Sequence, residues 1–225
     1  IELATKWGYA YVANFDPQAS VHEVKDHSLN QLLKQWEVSK ELLPHLSTLQ
    51  IHSATFDTGI LENQEVLEKL AELKTTHNLL IGLTSTGDNQ VEVLTKALDF
   101  KVNGENLFEV FQVTYNILDQ SLVTILDLIK ENNNRIVIKE ALANGRIFPN
   151  EKYPDYEKMY SYLEQLSKKY GIGIDAIALQ FCHQTINPFI VLSGASTNNQ
   201  LEENLKTNDF ESVSYTHLRA HETRH

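Results

Sequence analysis

This sequence lacks the features of disulfide-rich, membrane-spanning and nucleic-acid-binding proteins. It contains one cysteine, Cys182, which excludes an internal disulfide and a site with several cysteine ligands. No apolar run reaches the roughly 20 residues of a membrane span. The 19 Lys and Arg are outnumbered by 30 Asp and Glu, so the net charge of -11 argues against a nucleic-acid partner. No signal peptide is visible, and we expect a cytoplasmic protein.

The composition is that of a globular protein. Hydrophobic residues make up 42% and charged residues 22% of a chain of 225 residues, which is long enough to bury a sizeable core. Cys182 lies in an apolar stretch and is expected to be a buried structural thiol. Residues 214–225 are abruptly rich in His and Arg. We therefore expect residues 1–213 to form the domain and 214–225 to be a non-native or disordered tail, with a natural basic tail as the alternative.

Apolar runs alternate with amphipathic helical patterns along the chain. Strands are predicted for the near-continuously apolar segments 2–6, 48–53, 79–84, 110–115, 135–140 and 189–193. Apolar spacings of three and four predict helices within 29–43, 66–73, 122–129, 156–170 and 174–182. Repeated strand-then-helix units predict an α/β fold, either an open doubly wound sheet or a closed barrel.

Two features favour the barrel. No Gly-x-Gly-x-x-Gly follows any predicted strand, so the usual dinucleotide-binding fingerprint is absent. Polar residues recur at the carboxyl ends of the strands, where eight-stranded barrels carry their active sites. Six strands cannot close such a barrel. Because the chain begins on a strand, we expect a (β/α)8 TIM-type barrel that is incomplete, with the first two β/α units missing.

The segment 7–27, between the first strand and its helix, is long enough to be a functional loop. Its aromatic residues Trp7, Tyr9, Tyr11 and Phe15 either line the mouth of an apolar substrate pocket or pack the loop against the barrel rim. The sequence leaves both interpretations open.

Lys6 and His52 end the first two predicted strands. Adjacent parallel strands lie about 4.8 Å apart, so inward-pointing side chains at one level would be close. A lysine inside a barrel is costly without a partner. An ammonium can depress the pKa of a neighbouring phenol, and an imidazole can orient a carbonyl, so the pair suits catalysis. By themselves these residues do not separate a catalytic from a structural role.

The order of the motifs around this pair resolves the question. The segments are Ala4-Thr5-Lys6-Trp7-Gly8, Gln50-Ile51-His52-Ser53, Ile81-Gly82-Leu83-Thr84-Ser85, Phe111-Gln112-Val113-Thr114-Tyr115-Asn116 and residues 192–204. Together, across residues 2–209, they resemble the aldo-keto reductases. The resemblance implies an enzyme that transfers hydride from NADPH to the carbonyl of a small aldehyde or ketone.

The family's catalytic tetrad comprises Asp, Tyr, Lys and His. The resemblance carries the lysine to Lys6 and the histidine to His52, and it implies no metal. The family's Asp and Tyr precede the lysine strand, and no tyrosine of this chain matches the proton-donor position. We therefore expect this chain by itself to be inactive.

The cofactor residues follow from the same resemblance. Thr84 and Ser85 match a Ser-Asn pair that holds the nicotinamide carboxamide, and Gln112 matches a glutamine with the same task. Lys139 replaces an aromatic residue that stacks on the nicotinamide. Leu142 and Asn144 follow in the loop that runs over the pyrophosphate.

Residues 193–204 form a strand end, a turn and a helix start, where free amides suit a phosphate. Gly194 and Gln200 replace the family's cations, which resembles a variant that binds the adenosine 2′-phosphate through Ser196, Thr197, Asn198 and Gln200. Glu203 and Asn204 match residues that bind the adenine. The resemblance favours NADP over NAD. Without it, the segment would read as an ordinary helix capped by Asn198.

This variant also resembles the potassium-channel β-subunits, which keep the reductase fold. The alternative function is therefore an NADP-binding regulatory module. That role predicts stable tetramers with slow turnover, whereas a reductase predicts fast aldehyde-dependent oxidation of NADPH.

Overall fold

The computed structural model describes residues 2–85, 87–102 and 104–209, and it divides the chain into two compact units. The first unit contains the chain up to Gln112 together with Asp127–Arg135. The second contains Val113–Leu126 and the chain from Ile136 onward. The predicted tail 214–225 lies outside the described residues, as do residues 210–213 of the predicted domain.

Strands and helices alternate through the first unit. In chain order its elements are β1 (Leu3–Trp7), β2 (Tyr9–Tyr11), β3 (Glu23–Lys25), α1 (Leu29–Ser39), β4 (Leu46–Ala54), α2 (Gln64–His77), β5 (Leu80–Ser85), α3 (Gln90–Leu98), β6 (Lys101–Val102), β7 (Glu105–Asn106), β8 (Phe108–Thr114) and α4 (Leu126–Glu131). β8 begins in this unit and ends in the second, and the same boundary cuts α4 after its first residue. Short 3-10 turns cover Lys40–Leu42, Phe56–Thr58 and Ile60–Glu62.

The second unit is mainly helical. Its remaining elements are β9 (Arg135–Lys139), α5 (Glu157–Tyr170), α6 (Ile174–Ile186), β10 (Ile190–Val191) and α7 (Asn198–Leu205). Single 3-10 turns occur at Ser121–Ile125, Ala143–Gly145, Pro154–Tyr156 and Lys206–Asp209. β9 and β10 pair in parallel, with Ile190 opposite Val137.

The first unit is organised by parallel strand pairing. Its strands lie in the order β1-β4-β5-β8, and every neighbouring pair is parallel. All the predicted strands are present, with bounds that differ from the prediction by a few residues at most. The largest difference is at β10, which is two residues long, whereas the prediction covered residues 189–193.

One face of these strands forms the core of the first unit. Odd-numbered residues of β4, β5 and β8 are fully buried: Leu49, Ile51, Ile81, Leu83 and Phe111. The predicted stripe of α2 is buried too, at Val66, Leu67, Leu70 and Leu73. Because side chains alternate along a strand, the even-numbered residues lie on the opposite face. That face carries the polar strand residues that the sequence singled out.

The sequence reasoning missed three local features. Helix α3 was not predicted, although Val93, Leu94 and Ala97 bury a helical stripe, because its nine residues give only a short periodic pattern. The segment 7–27 contains an antiparallel hairpin, β2–β3, in which Tyr9 pairs with Lys25. A second small hairpin pairs β6 with β7. Both hairpins have strands of two or three residues, too short for a visible alternation of hydrophobicity.

The prediction for the thiol is confirmed. Cys182 is fully buried in α6, and burial raises the pKa of its thiol to about 12. Its Sγ lies 3.5 Å from the carbonyl oxygen of Tyr115, within the second unit. A thiol in this environment is a structural side chain.

Candidate active site

The polar face of the parallel strands in the first unit carries four of the candidate residues: Lys6, His52, Thr84 and Gln112. Lys6 pairs with Gln50, Gln50 with Gly82, and Thr84 with Gln112. Strand alternation places His52 on the same face as Gln50. His52 therefore lies one strand away from Lys6 and two residues further along, roughly 6 to 7 Å in the strand direction. The two residues share a face, but they do not lie at one level, because Gln50 is the residue opposite Lys6.

The side chains on this face are more buried on β5 and β8 than on β1. Lys6 is exposed on β1 and His52 is half-buried on β4. Thr84 and Gln112, which face each other across β5 and β8, are only 2% and 7% exposed. Gln50 is buried as well, and its Oε1 has no hydrogen-bond donor among the residues that the structure describes. The face thus offers an ammonium and an imidazole beside buried amide and hydroxyl groups.

The two predicted hydroxyls of β5 have different surroundings. The Thr84 Oγ1 accepts a hydrogen bond of 2.7 Å from the backbone amide of Ser53, which leaves its own proton free to donate. The Ser85 side chain lies on the other face, where its Oγ donates to Gln90 Oε1 at 3.3 Å. Thr84 therefore has a group directed to the polar face, and Ser85 is engaged with α3.

The backbone at His52 is unusual. β4 continues past His52 to Ala54, and Ser53 has a φ of 54°, a left-handed conformation that non-glycine residues seldom adopt. The His52 carbonyl oxygen lies 2.9 Å from His27 Nε2, and the Ser53 carbonyl oxygen accepts from Lys25 Nζ at 3.1 Å. Contacts from the hairpin region therefore fix this segment.

The aromatic residues of the segment 7–27 divide into two groups. Trp7 is buried, with its ring 5.7 Å from that of His27, and the Tyr9 ring lies 4.7 Å from the His52 ring. Tyr11 and Phe15 are exposed and contact each other at 5.2 Å. Trp7 and Tyr9 therefore pack against neighbouring residues, which agrees with the interpretation that the loop aromatics hold the loop in place. Tyr11 and Phe15 are exposed, and the interpretation that they line the mouth of a substrate pocket stays open.

In the second unit, Lys139 lies at the end of β9. Its Nζ donates to Thr114 Oγ1 at 2.7 Å and pairs with Glu140 Oε1 at 3.0 Å. The other carboxylate oxygen of Glu140 accepts from Asn144 Nδ2 at 3.3 Å. Asn144 is exposed in a left-handed conformation, with a φ of 53°, and Leu142 is half-buried just before it. Glu140 thus links two of the predicted cofactor residues.

The segment 193–204 is organised by local hydrogen bonds. Gln200 Oε1 accepts from both the backbone amide and the hydroxyl of Ser196, each at 2.9 Å. Thr197, not Asn198, caps α7, because its Oγ1 accepts from the Gln200 amide at 3.2 Å. The prediction of Asn198 as the cap was wrong by one residue, and Asn198 instead begins the helix.

The two ends of this segment are also tied together. Gly194 has a φ of 64°, so the turn that follows β10 uses a left-handed backbone. Asn204 is buried, and its Nδ2 donates to the Ser193 carbonyl oxygen at 3.2 Å. Glu203 accepts from Lys206 at 2.6 Å. The segment therefore forms a closed turn, and its residues 196–200 are exposed at the start of α7.

Two kinds of feature are absent from the described part of the chain. No helix there has both the length and the apolar character that a bilayer crossing demands. No group of three or more His, Cys, Asp or Glu residues among residues 2–85, 87–102 and 104–209 is placed to hold a metal ion.

Comparison with known proteins identifies the family. The Aldo/keto reductase family matches residues 1–222, so the chain belongs to this family of oxidoreductases. A comparison with curated proteins gives no match. The resemblance seen in the sequence is therefore confirmed at the level of the family.

Solved structures support the same fold. An aldo-keto reductase from Bacillus halodurans, in its holo form, is 22% identical with a TM-score of 0.71; the match covers 99% of this chain and 73% of that one. A glycerol dehydrogenase from Gluconobacter oxydans is 19% identical with a TM-score of 0.72, over 97% of this chain and 70% of that one. The predicted fold class, an α/β fold of the (β/α)8-barrel type, is confirmed.

Sequence reasoning missed several residues near the candidate site. Gln50 belongs to the quoted motif, and its even position on β4 was the available signal. Tyr9 was named only as a loop aromatic, although its ring contacts His52. His27 was not singled out, because no local pattern relates it to His52, 25 residues away.

Proposed function

We propose that this chain supplies the catalytic lysine and histidine and the cofactor-binding residues of an NADP-dependent carbonyl reductase, an enzyme that transfers hydride from NADPH to an aldehyde or ketone. The observation that supports this most is the shared polar face of β1, β4, β5 and β8. It presents Lys6, His52, Thr84 and Gln112 on successive parallel strands. These are the positions that the family resemblance assigns to catalysis and to the nicotinamide.

Lys6 and His52 act on the carbonyl in this proposal. The exposed ammonium of Lys6 lowers the pKa of a phenol placed beside it, which makes that phenol a better proton donor at neutral pH. The half-buried imidazole of His52 donates a hydrogen bond that orients the carbonyl oxygen. Both groups stabilise charge that develops on the oxygen as the carbonyl is reduced.

Thr84 and Gln112 suit a carboxamide. The Thr84 hydroxyl already accepts from Ser53, so its proton remains for an acceptor. The Gln112 amide, buried opposite Thr84, offers both a donor and an acceptor. When bound, the nicotinamide cofactor supplies the hydride. Ser85 is the weakest member of the proposed set, because its hydroxyl is engaged with Gln90.

The second unit carries the groups proposed for the adenosine end. Exposed at the start of α7, where the helix dipole favours an anion, are Ser196, Thr197, Asn198 and Gln200. Gly194 allows the left-handed turn just before them. Glu203 and Asn204 are proposed for the adenine, and Lys139, Leu142 and Asn144 for the remainder of the cofactor.

A binding experiment tests the cofactor. NADPH and NADH are titrated separately into the 225-residue chain and followed by calorimetry. Thr197→Ala removes a hydroxyl proposed to bind the 2′-phosphate, and hydrogen bonds to charged groups contribute about 1.5–3 kcal/mol, so NADPH should bind roughly tenfold or more weakly. NADH affinity should change much less. Thr124→Ala, which removes a hydroxyl bonded only to the Ser121 carbonyl, is the control.

The outcomes separate the possibilities. Equal weakening of both nucleotides by Thr197→Ala would remove the assignment of the 2′-phosphate. Absence of binding by either nucleotide would remove the cofactor proposal altogether.

An activity assay tests the chemistry. Because no tyrosine of residues 1–225 matches the family's proton-donor position, we expect this chain to give no aldehyde-dependent oxidation of NADPH. Steady turnover by it, lost on Lys6→Met, would contradict that expectation. Reading the coding sequence upstream of residue 1 shows whether an Asp and a Tyr precede β1. A stable tetramer that binds NADPH and turns over slowly would favour the regulatory alternative.

A further inference from the structure

His27 occupies a central position in the first unit beside the His52 segment. Its side chain is buried, with 6% of its surface exposed. Its Nε2 lies 2.9 Å from the His52 carbonyl oxygen, and its Nδ1 lies 3.0 Å from Thr58 Oγ1. Both ring nitrogens are therefore engaged, one of them by the backbone of the candidate catalytic histidine.

The hydrogen-bond roles follow from the acceptors. A carbonyl oxygen only accepts, so Nε2 must carry a proton and donate to His52. The Thr58 hydroxyl has one proton and two acceptors within reach, Nδ1 of His27 and the Thr55 carbonyl oxygen at 3.0 Å. Burial lowers the pKa of His27, which favours the neutral ring with its proton on Nε2. The tautomer is thus set by the His52 carbonyl.

The same ring packs on the segment that follows Lys6. A Cβ added to Gly8 would lie 2.5 Å from His27 Cδ2, so only a glycine permits this approach. The Trp7 ring meets His27 edge-on at 5.7 Å. His27 therefore touches the residues directly after Lys6 and the backbone of His52 at once.

Three further contacts hold His52 and Ser53 in place. Thr84 Oγ1 accepts from the Ser53 amide, and Lys25 Nζ donates to the Ser53 carbonyl oxygen. The Tyr9 ring lies 4.7 Å from the His52 ring, inclined at 57°. Ser53 is held in a left-handed conformation, and such strained conformations persist where surrounding contacts over-determine them.

We infer that His27 is a positioning residue that fixes the orientation of His52 relative to the strand bearing Lys6. The inference rests on the proposed function for its catalytic meaning, because His27 acts through the backbone of His52 and not on the substrate. Removing the Nε2 donor would release the His52 carbonyl and let the His52 ring change its direction and its contact with Tyr9.

The test reads the His52 ring directly. The 225-residue chain is labelled with ¹⁵N-histidine, and the ring signals of His52 are assigned from His52→Gln. In His27→Ala the His52 ring signals should shift and broaden, as the ring samples more than one orientation. In His27→Gln they should stay near the native positions, because the amide can donate to the His52 carbonyl and accept from Thr58. His77→Ala, which removes a ring packed on Trp36, is the matched control.

A second variant covers the case in which His27→Ala does not fold. Thr58→Val removes the partner of Nδ1, and it should displace the His27 signals and, to a smaller extent, those of His52. Unchanged His52 signals in both His27→Ala and Thr58→Val would overturn the inference, as would equal shifts in His77→Ala. If Ala does not fold and Thr58→Val leaves His52 unmoved, the inference is likewise overturned.

This readout is independent of reductase activity. Shifted His52 signals in a chain that binds neither NADPH nor NADH would leave the positioning role standing and remove the proposed function. Nucleotide binding with unmoved His52 signals would remove the positioning role and leave the proposed function standing.

Discussion

The candidate residues of the two units are held in place by different kinds of contact. In the first unit, Lys6, His52, Thr84 and Gln112 lie within paired strands, and the bond between Ser53 and Thr84 spans 31 residues of sequence. In the second, the bonds that organise the segment 193–204 span two to eleven residues. The former arrangement depends on strand pairing between distant parts of the chain, and the latter is mainly local.

This difference has a consequence for chemistry. A catalytic group must be held within a fraction of an ångström, which buried, paired strands can do. A phosphate is recognised by exposed amides and hydroxyls at the start of a helix, where a local turn suffices. Paired strands therefore suit the catalytic residues proposed for the first unit, and a local turn suits the phosphate-binding residues proposed for the second.

The largest expected effect comes from the core of the second unit. Phe181 is fully buried in α6, and its ring stacks on Tyr115 at 5.6 Å. Phe181→Ala should lower the free energy of unfolding by about 3–5 kcal/mol, measured by urea denaturation. Helix α6 packs against α7, so the loss should also loosen the turn at 193–204.

Phe189 supplies the matched control, because it is 55% exposed in the same unit. Phe189→Ala should change the unfolding free energy by less than about 0.5 kcal/mol. Equal losses from both substitutions, or an unchanged 193–204 turn in Phe181→Ala, would mean that this segment is independent of its core.

A glycine pair compares the two units directly. A Cβ on Gly82 in β5 would meet the Val110 carbonyl oxygen at 2.5 Å, whereas a Cβ on Gly173 would meet the side-chain carboxylate of Asp175 at 2.2 Å. Gly82→Ala should therefore destabilise the protein by about 1–3 kcal/mol, since paired backbone cannot move aside. Gly173→Ala should cost clearly less in the same urea titration. The reverse order would contradict the view that strand pairing holds the backbone of the first unit in place.

The smallest expected effect concerns pH. Burial lowers the pKa values of both His27 and His183 below the usual 6.5, so the unfolded chain takes up these protons first as the pH falls. Both contributions to stability are therefore present above about pH 6.5 and are lost as the pH falls below it. His27→Gln should flatten the dependence of the urea midpoint between pH 7.5 and about pH 5.5, and His183→Gln should flatten it less, because His183 is more exposed. Parallel curves for wild type and His27→Gln would contradict this.

Much of the fold could be predicted from local patterns. The apolar runs gave all the strands of the parallel pairs, and the stripe of Val66, Leu67, Leu70 and Leu73 gave α2. The position of Thr197 shows the limit of this approach, because Ser, Thr and Asn all cap helices and only the backbone angles distinguish them. Helix α3 was missed because nine residues give too few turns for a clear period.

By itself, the sequence determined the α/β class, the order of the strands that pair in parallel, the family and the strand positions of Lys6 and His52, because alternation and helical periodicity are written into neighbouring residues. Tertiary structure alone decided that Ser85 faces Gln90 and that the hairpin β2–β3 lies beside the His52 segment. It also decided that His27 holds the His52 carbonyl. These contacts join residues far apart in the chain, and the register and packing that bring them together leave no periodic trace in the sequence.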